Sequence, residues 1–134
     1  MPHLVILYTR NLDAETDMSA LCRTLADTML TVKDEAGNPV FPPGGVRVLA
    51  YPATHCAVAD SQRDYAFAYL NLRLARGRSE QAKKNAGAAL TAAAQAHFAP
   101  VLARRPLGLT LQIDEGAEVF DAKIGNLHPM FNKN

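Results

Sequence analysis

The chain has 134 residues, 14 Lys and Arg against 13 Asp and Glu, a formal charge of +1 and 49% hydrophobic content. That length suits a single domain, 1–134, with a real core, and the balanced charge excludes a disordered chain and argues against a nucleic-acid binder. No stretch approaches membrane-spanning length, and the apolar run Leu4-Val5-Ile6-Leu7 lacks the basic flank and cleavage signal of a secretory peptide. A cytoplasmic protein with no membrane or nucleic-acid partner is expected.

Residues 3–9 are short, apolar and partly β-branched, which predicts a buried strand. A helix follows. Asn11 or Asp13 can cap it, Asp13, Glu15 and Asp17 complement its dipole, and Met18, Leu21, Cys22, Leu25, Met29 and Val32 recur at helical spacing. Gly37-Asn38-Pro39 and Pro42-Pro43-Gly44-Gly45 break the chain before a second strand from Val46 to Tyr51. The pattern then recurs. Tyr65 to Ala75 alternates as a strand, Ser79 caps an Ala-rich helix that reaches His97 or beyond, and Leu107, Leu109, Leu111 and Ile113 mark a fourth strand. Pro100 either ends that helix or opens a further turn.

Two strand–helix–strand repeats, 1–60 and 61–134, predict an α+β two-layer sandwich with a four-stranded mixed sheet and both helices on one face. The other face is then bare. Such a face needs a partner, so an oligomer is expected, and the weakly periodic last twenty residues could reach a neighbouring subunit. Cys22 and Cys56 form no CxxC pair, and His3, His55, His97 and His128 share no ligand spacing, so no metal is expected.

Pro2 follows the initiator methionine. If Met1 is removed, Pro2 carries a free secondary amine, whose ordinary pKa of roughly 7.7–8.0 can be lowered by desolvation or nearby cations into the range of a general base.

The order and content of these elements resemble the tautomerase superfamily, whose members use an N-terminal proline and are built from β–α–β units. Arg76-Gly77-Arg78-Ser79-Glu80-Gln81 resembles the turn and helix start of 4-oxalocrotonate tautomerase, and Gly45-Val46-Arg47-Val48 resembles its Val-Arg-Val strand. Met1-Pro2-His3, Ala59-Asp60, Asp64-Tyr65-Ala66-Phe67, Gly77-Arg78-Ser79 and His97-Phe98-Ala99 resemble, in order, stretches of the 5-carboxymethyl-2-hydroxymuconate isomerase family. This resemblance implies a homotrimer and an isomerase of aromatic-acid catabolism. No cofactor is implied, and the proline moves a proton in an unsaturated keto/hydroxy diacid.

Within that scheme Pro2 is the catalytic residue, and Arg47 and Arg78 suit a small anionic acid because a guanidinium holds a carboxylate bidentately. Arg10, at the end of the first strand, could line the same site. Tyr51, Phe67, Tyr69 and Phe120 could wall it, and Thr110 stands in the second repeat where Arg47 stands in the first. Two other functions fit the same residues. A hydratase or dehalogenase would use a protonated Pro2 as acid while Asp114 or Glu115 activates water. A chain that keeps Met1 would be a non-catalytic trimeric relative.

Overall fold

The computed structural model of the chain describes residues 2–131. Four strands, β1 (His3–Thr9), β2 (Arg47–Ala53), β3 (Ala66–Leu74) and β4 (Leu107–Glu115), form one sheet in the order β2-β1-β3-β4. β1 runs parallel to β2, β3 parallel to β4, and the two halves meet through the antiparallel β1–β3 pair. Each parallel pair is bridged by a helix, α1 (Met18–Thr31) or α2 (Glu80–Leu102). The doubled β–α–β unit follows the sequence repeat and is the tautomerase-like fold that the resemblance implies.

Alternation along the strands decides which face is dry. Leu4, Ile6 and Tyr8 of β1 and Ala66, Ala68, Leu70, Leu72 and Leu74 of β3 are buried beneath the helices. They meet Leu21, Leu25 and Met29 of α1 and Ala86, Leu90 and Phe98 of α2 in one core. The intervening residues face away from it. Leu7, Leu49 and Tyr51 remain 49%, 45% and 51% exposed, so this part of the far face of the sheet has no cover among the described residues. No helix among the described residues is long and apolar enough to cross a membrane.

Several local details depart from the sequence expectation. The cap of α1 is Asp17, whose side chain accepts from the Ala20 amide at 3.0 Å. Asn11 and Asp13 fall in a 3-10 turn, Arg10–Ala14, where other partners claim their side chains. Asn11 donates to Asp64 and to the Tyr65 carbonyl, and Asp13 accepts from the Tyr8 hydroxyl at 2.6 Å. Ser79 does cap α2, accepting from the Ala82 amide at 3.1 Å. Pro100 lies inside the last turn of α2, where the i−4 acceptor it leaves unbonded belongs to exposed Ala96.

The last described residues form a short helix, α3 (Leu127–Phe131), which the weak periodicity of the tail did not announce. It folds back on the 3-10 turn Pro43–Gly45 of its own chain, because Gly44 leaves room for the backbone: a Cβ there would meet His128 Cα at 2.8 Å. Residue 1 and residues 132–134 lie outside the described part.

Candidate active site

The parallel β1–β2 and antiparallel β1–β3 pairings bring three chain segments to one end of the sheet. His3 of β1 stands opposite Arg47 of β2 and opposite Arg73 of β3. These three side chains share the uncovered face and line a cleft of about 560 Å³, closed on the far side by the tail from Glu118 to His128. Pro2 is buried at its edge, immediately before His3. A Cβ on Gly45 would come within 3.4 Å of both Pro2 Cδ and His128 Cε1, so the proline ring, the glycine turn and the tail helix are packed against one another.

Arg47 is half-buried and donates from Nη1 to the Gly44 carbonyl at 2.8 Å, which aims its guanidinium along the cleft wall. The imidazole of His3 is held below its ordinary pKa, first by burial and then by the positive charges of the chain terminus and Arg47.

Arg78 comes to the same end of the molecule, in the turn after β3, but its contacts are internal. It donates from Nε to the Val40 carbonyl at 3.3 Å and from Nη1 to the Ala75 carbonyl at 3.4 Å. Its guanidinium carbon lies 5.3 Å from the centre of the Phe41 ring. Burial lowers its pKa, yet a guanidinium remains cationic. Arg78 therefore ties the approach to the glycine turn to the end of β3, and Ala75, whose carbonyl it binds, lines the cleft.

Arg10 is not brought to this cluster within the chain. It follows Thr9 at the opposite end of β1 and donates to Thr54 at 3.3 Å. Its counterpart turn in the second repeat, holding Arg76 and Arg78, sits at the Pro2 end because β3 runs antiparallel to β1. The aromatic residues do not line the cleft either. Tyr51 and Tyr69 flank Leu7, Phe67 lies beside Thr9, and Phe120 is exposed. Gly45, Pro42 and His128 form the local wall instead. On the second ladder Thr110 lies on the uncovered face opposite Tyr69, in the middle of β3 and not at its start.

Asp114 and Glu115 end β4. Asp114 accepts from Asn71 at 2.8 Å and Glu115 pairs with Lys83 at 2.9 Å. Arg73, His128 and the Gly44 cradle were not singled out by the sequence. Arg73 continues the alternation of Tyr69 and Asn71, the one signal that could have placed it on the uncovered face.

Two half-buried imidazoles contribute to the acid response of the fold. His97, hydrogen-bonded to Thr16 at 2.8 Å, is lowered by burial as His3 is. Each binds its proton more readily in the unfolded chain, so their contribution to stability is complete above about pH 6.5 and is lost as the pH falls toward the depressed folded values. Urea unfolding midpoints are expected to decline as the pH falls below about 6.5, and His97→Gln to flatten that decline. An unchanged slope in the variant contradicts the assignment.

Comparisons with known proteins identify the family. Residues 2–131 match the family model described as 5-carboxymethyl-2-hydroxymuconate isomerase. A crystal structure of a 5-carboxymethyl-2-hydroxymuconate delta-isomerase is 58% identical, with a TM-score of 0.95 over 100% of this chain and 95% of that one. A second, from Deinococcus radiodurans R1, is 38% identical with a TM-score of 0.87, covering 98% of this chain and 95% of that one. The 5-carboxymethyl-2-hydroxymuconate Delta-isomerase of Escherichia coli is 29% identical over 98% of this chain and 99% of its own. With the doubled β–α–β sheet and the match running from Pro2 through α3, the chain belongs to the 5-carboxymethyl-2-hydroxymuconate isomerase family and is an isomerase.

Proposed function

We propose that this isomerase converts the enol of an unsaturated hydroxymuconate-type dicarboxylate to its ketone in aromatic-acid catabolism, with the amine of Pro2 as general base. The observation that carries the reading is the placement of Pro2: buried, at the head of β1, and beside a cleft walled by Arg47 and His3. In the proposed step the amine takes the enol O–H proton, electrons shift along the conjugated chain, and the same amine returns the proton to carbon, leaving a C=O. No atom is gained or lost.

The surroundings suit that task. Desolvation and a neighbouring cation such as Arg47 both favour a neutral amine. Arg47 would hold a carboxylate and offset the negative charge of the dienolate. Arg78 would act on the site from behind, through the Ala75 carbonyl and the Phe41 ring. Arg10 could serve only a site completed by another subunit. The reading requires Met1 to be removed, since an amide nitrogen at Pro2 is not a base. Activity of the untagged chain and of Pro2→Ala on 2-hydroxymuconate tests it.

A homotrimer is the assembly we infer, through the uncovered sheet face with Leu7, Leu49 and Tyr51. Placing a charge there should prevent assembly. Light scattering of Leu49→Lys is expected to give monomer where the wild type gives trimer, and a monomeric wild type overturns the inference.

A further inference from the structure

Arg73 is a cation that the proposed chemistry leaves unused. It is exposed on β3, yet it makes no hydrogen bond or ion pair among the described residues. The reason is not a shortage of acids. Asp114 stands directly beside it on β4, but the Asp114 carboxylate accepts from Asn71 at 2.8 Å instead. The guanidinium is thereby left to the cleft, which it lines together with His3 and Arg47.

Register sets the spacing. Arg47 and Arg73 oppose His3 from its two sides, so the three side chains form one row across β2, β1 and β3 on the same face. Neighbouring strands lie about 4.8 Å apart, which separates the two arginine Cα atoms by about 10 Å with an imidazole between them. Of the two carboxylates in the cleft lining, Asp121 is paired with Lys123, and Glu118 is folded over Gly116, where an added Cβ would meet it at 1.8 Å. Two guanidiniums that flank His3, neither in an ion pair among the described residues, fit a conjugated chain with a carboxylate at each end.

We propose that Arg73 determines specificity for a dicarboxylate, holding the substrate carboxylate distal to the one held by Arg47. This rests on the proposed function for its substrate class, but not on the proton transfer. A matched pair of unreactive six-carbon dienes tests it: trans,trans-muconate carries two carboxylates and sorbate one. Calorimetric titration of the wild type is expected to show tighter binding of muconate. Arg73→Ala should weaken muconate by roughly ten- to a hundredfold while leaving sorbate within about twofold, the range expected for one charge-assisted contact. Arg73→Lys should recover part of the loss. The side chain is exposed, so the thermal midpoint should not move. Equal loss for both dienes, no loss for either, or a wild type that does not prefer muconate overturns the proposal. Neither probe has an enol, so failure of Pro2 as base shows only in turnover and failure of Arg73 only in this titration.

Discussion

Pro2→Ala is expected to lower kcat for ketonisation of 2-hydroxymuconate by about 10²- to 10⁴-fold, the range supplied by a positioned general base, with circular dichroism unchanged. Alanine at the same position also permits removal of Met1, so the variant still has a terminal amine. It loses the ring that fixes the nitrogen. Proline locks its torsion and packs its Cδ toward Gly45 and His128, whereas a primary amine on alanine rotates freely and is more heavily hydrated. The intact mass of the untagged protein should correspond to a chain beginning at Pro2. A retained Met1, or turnover within about threefold of the wild type in Pro2→Ala, contradicts the proposed base.

Phe41→Ala carries the second large effect, because one buried ring supports both the core and the site. Phe41 is 1% exposed, lies beneath the Arg78 guanidinium, and precedes the Pro42–Gly45 stretch whose Gly44 carbonyl holds Arg47. Truncating a buried Phe costs about 3–5 kcal/mol, a large share of the 5–15 kcal/mol that holds a typical domain folded. Activity per folded molecule is expected to fall as well, since the turn carrying Gly44 and Gly45 loses its anchor. Phe98→Ala provides the comparison. Phe98 is equally buried but lies on α2, so it should lose similar stability while keeping turnover at temperatures where it is folded. Equal turnover losses in the two variants would mean that Phe41 acts through global stability alone.

Much of the architecture was legible because its signals are local. Alternation in Leu107 to Ile113, helical spacing from Met18 to Met29 and the Ser79 cap are properties of neighbouring residues, and each element formed where those patterns lie. The cap of α1 was misplaced because Asn11 and Asp13 are good caps in isolation, whereas here Asp64, Tyr65 and Tyr8 compete for them across the fold. Pro100 was undecidable from sequence, since its cost depends on whether its i−4 carbonyl can face solvent.

The site was legible only in part. Pro2 and Arg47 stood out through their positions in the chain, and the fold brings them to one end of the sheet. Arg10 was placed near the site by analogy between the two repeats, and the aromatic residues only as apolar side chains able to wall it. That analogy ignores strand direction: the β1–β3 pairing is antiparallel, so equivalent positions in the repeats lie at opposite ends of the sheet.

The sequence alone determined the doubled β–α–β order, the dry and bare faces of the sheet and the candidacy of Pro2, because periodicity and chain position are written in adjacent residues. Tertiary structure alone decided that Arg73 joins Arg47 and His3, that Arg78 turns inward over Phe41, and that the tail closes on Gly44. Those outcomes depend on strand register and on which of several partners wins a side chain. Both are set by contacts between residues far apart in the chain, which no local pattern encodes.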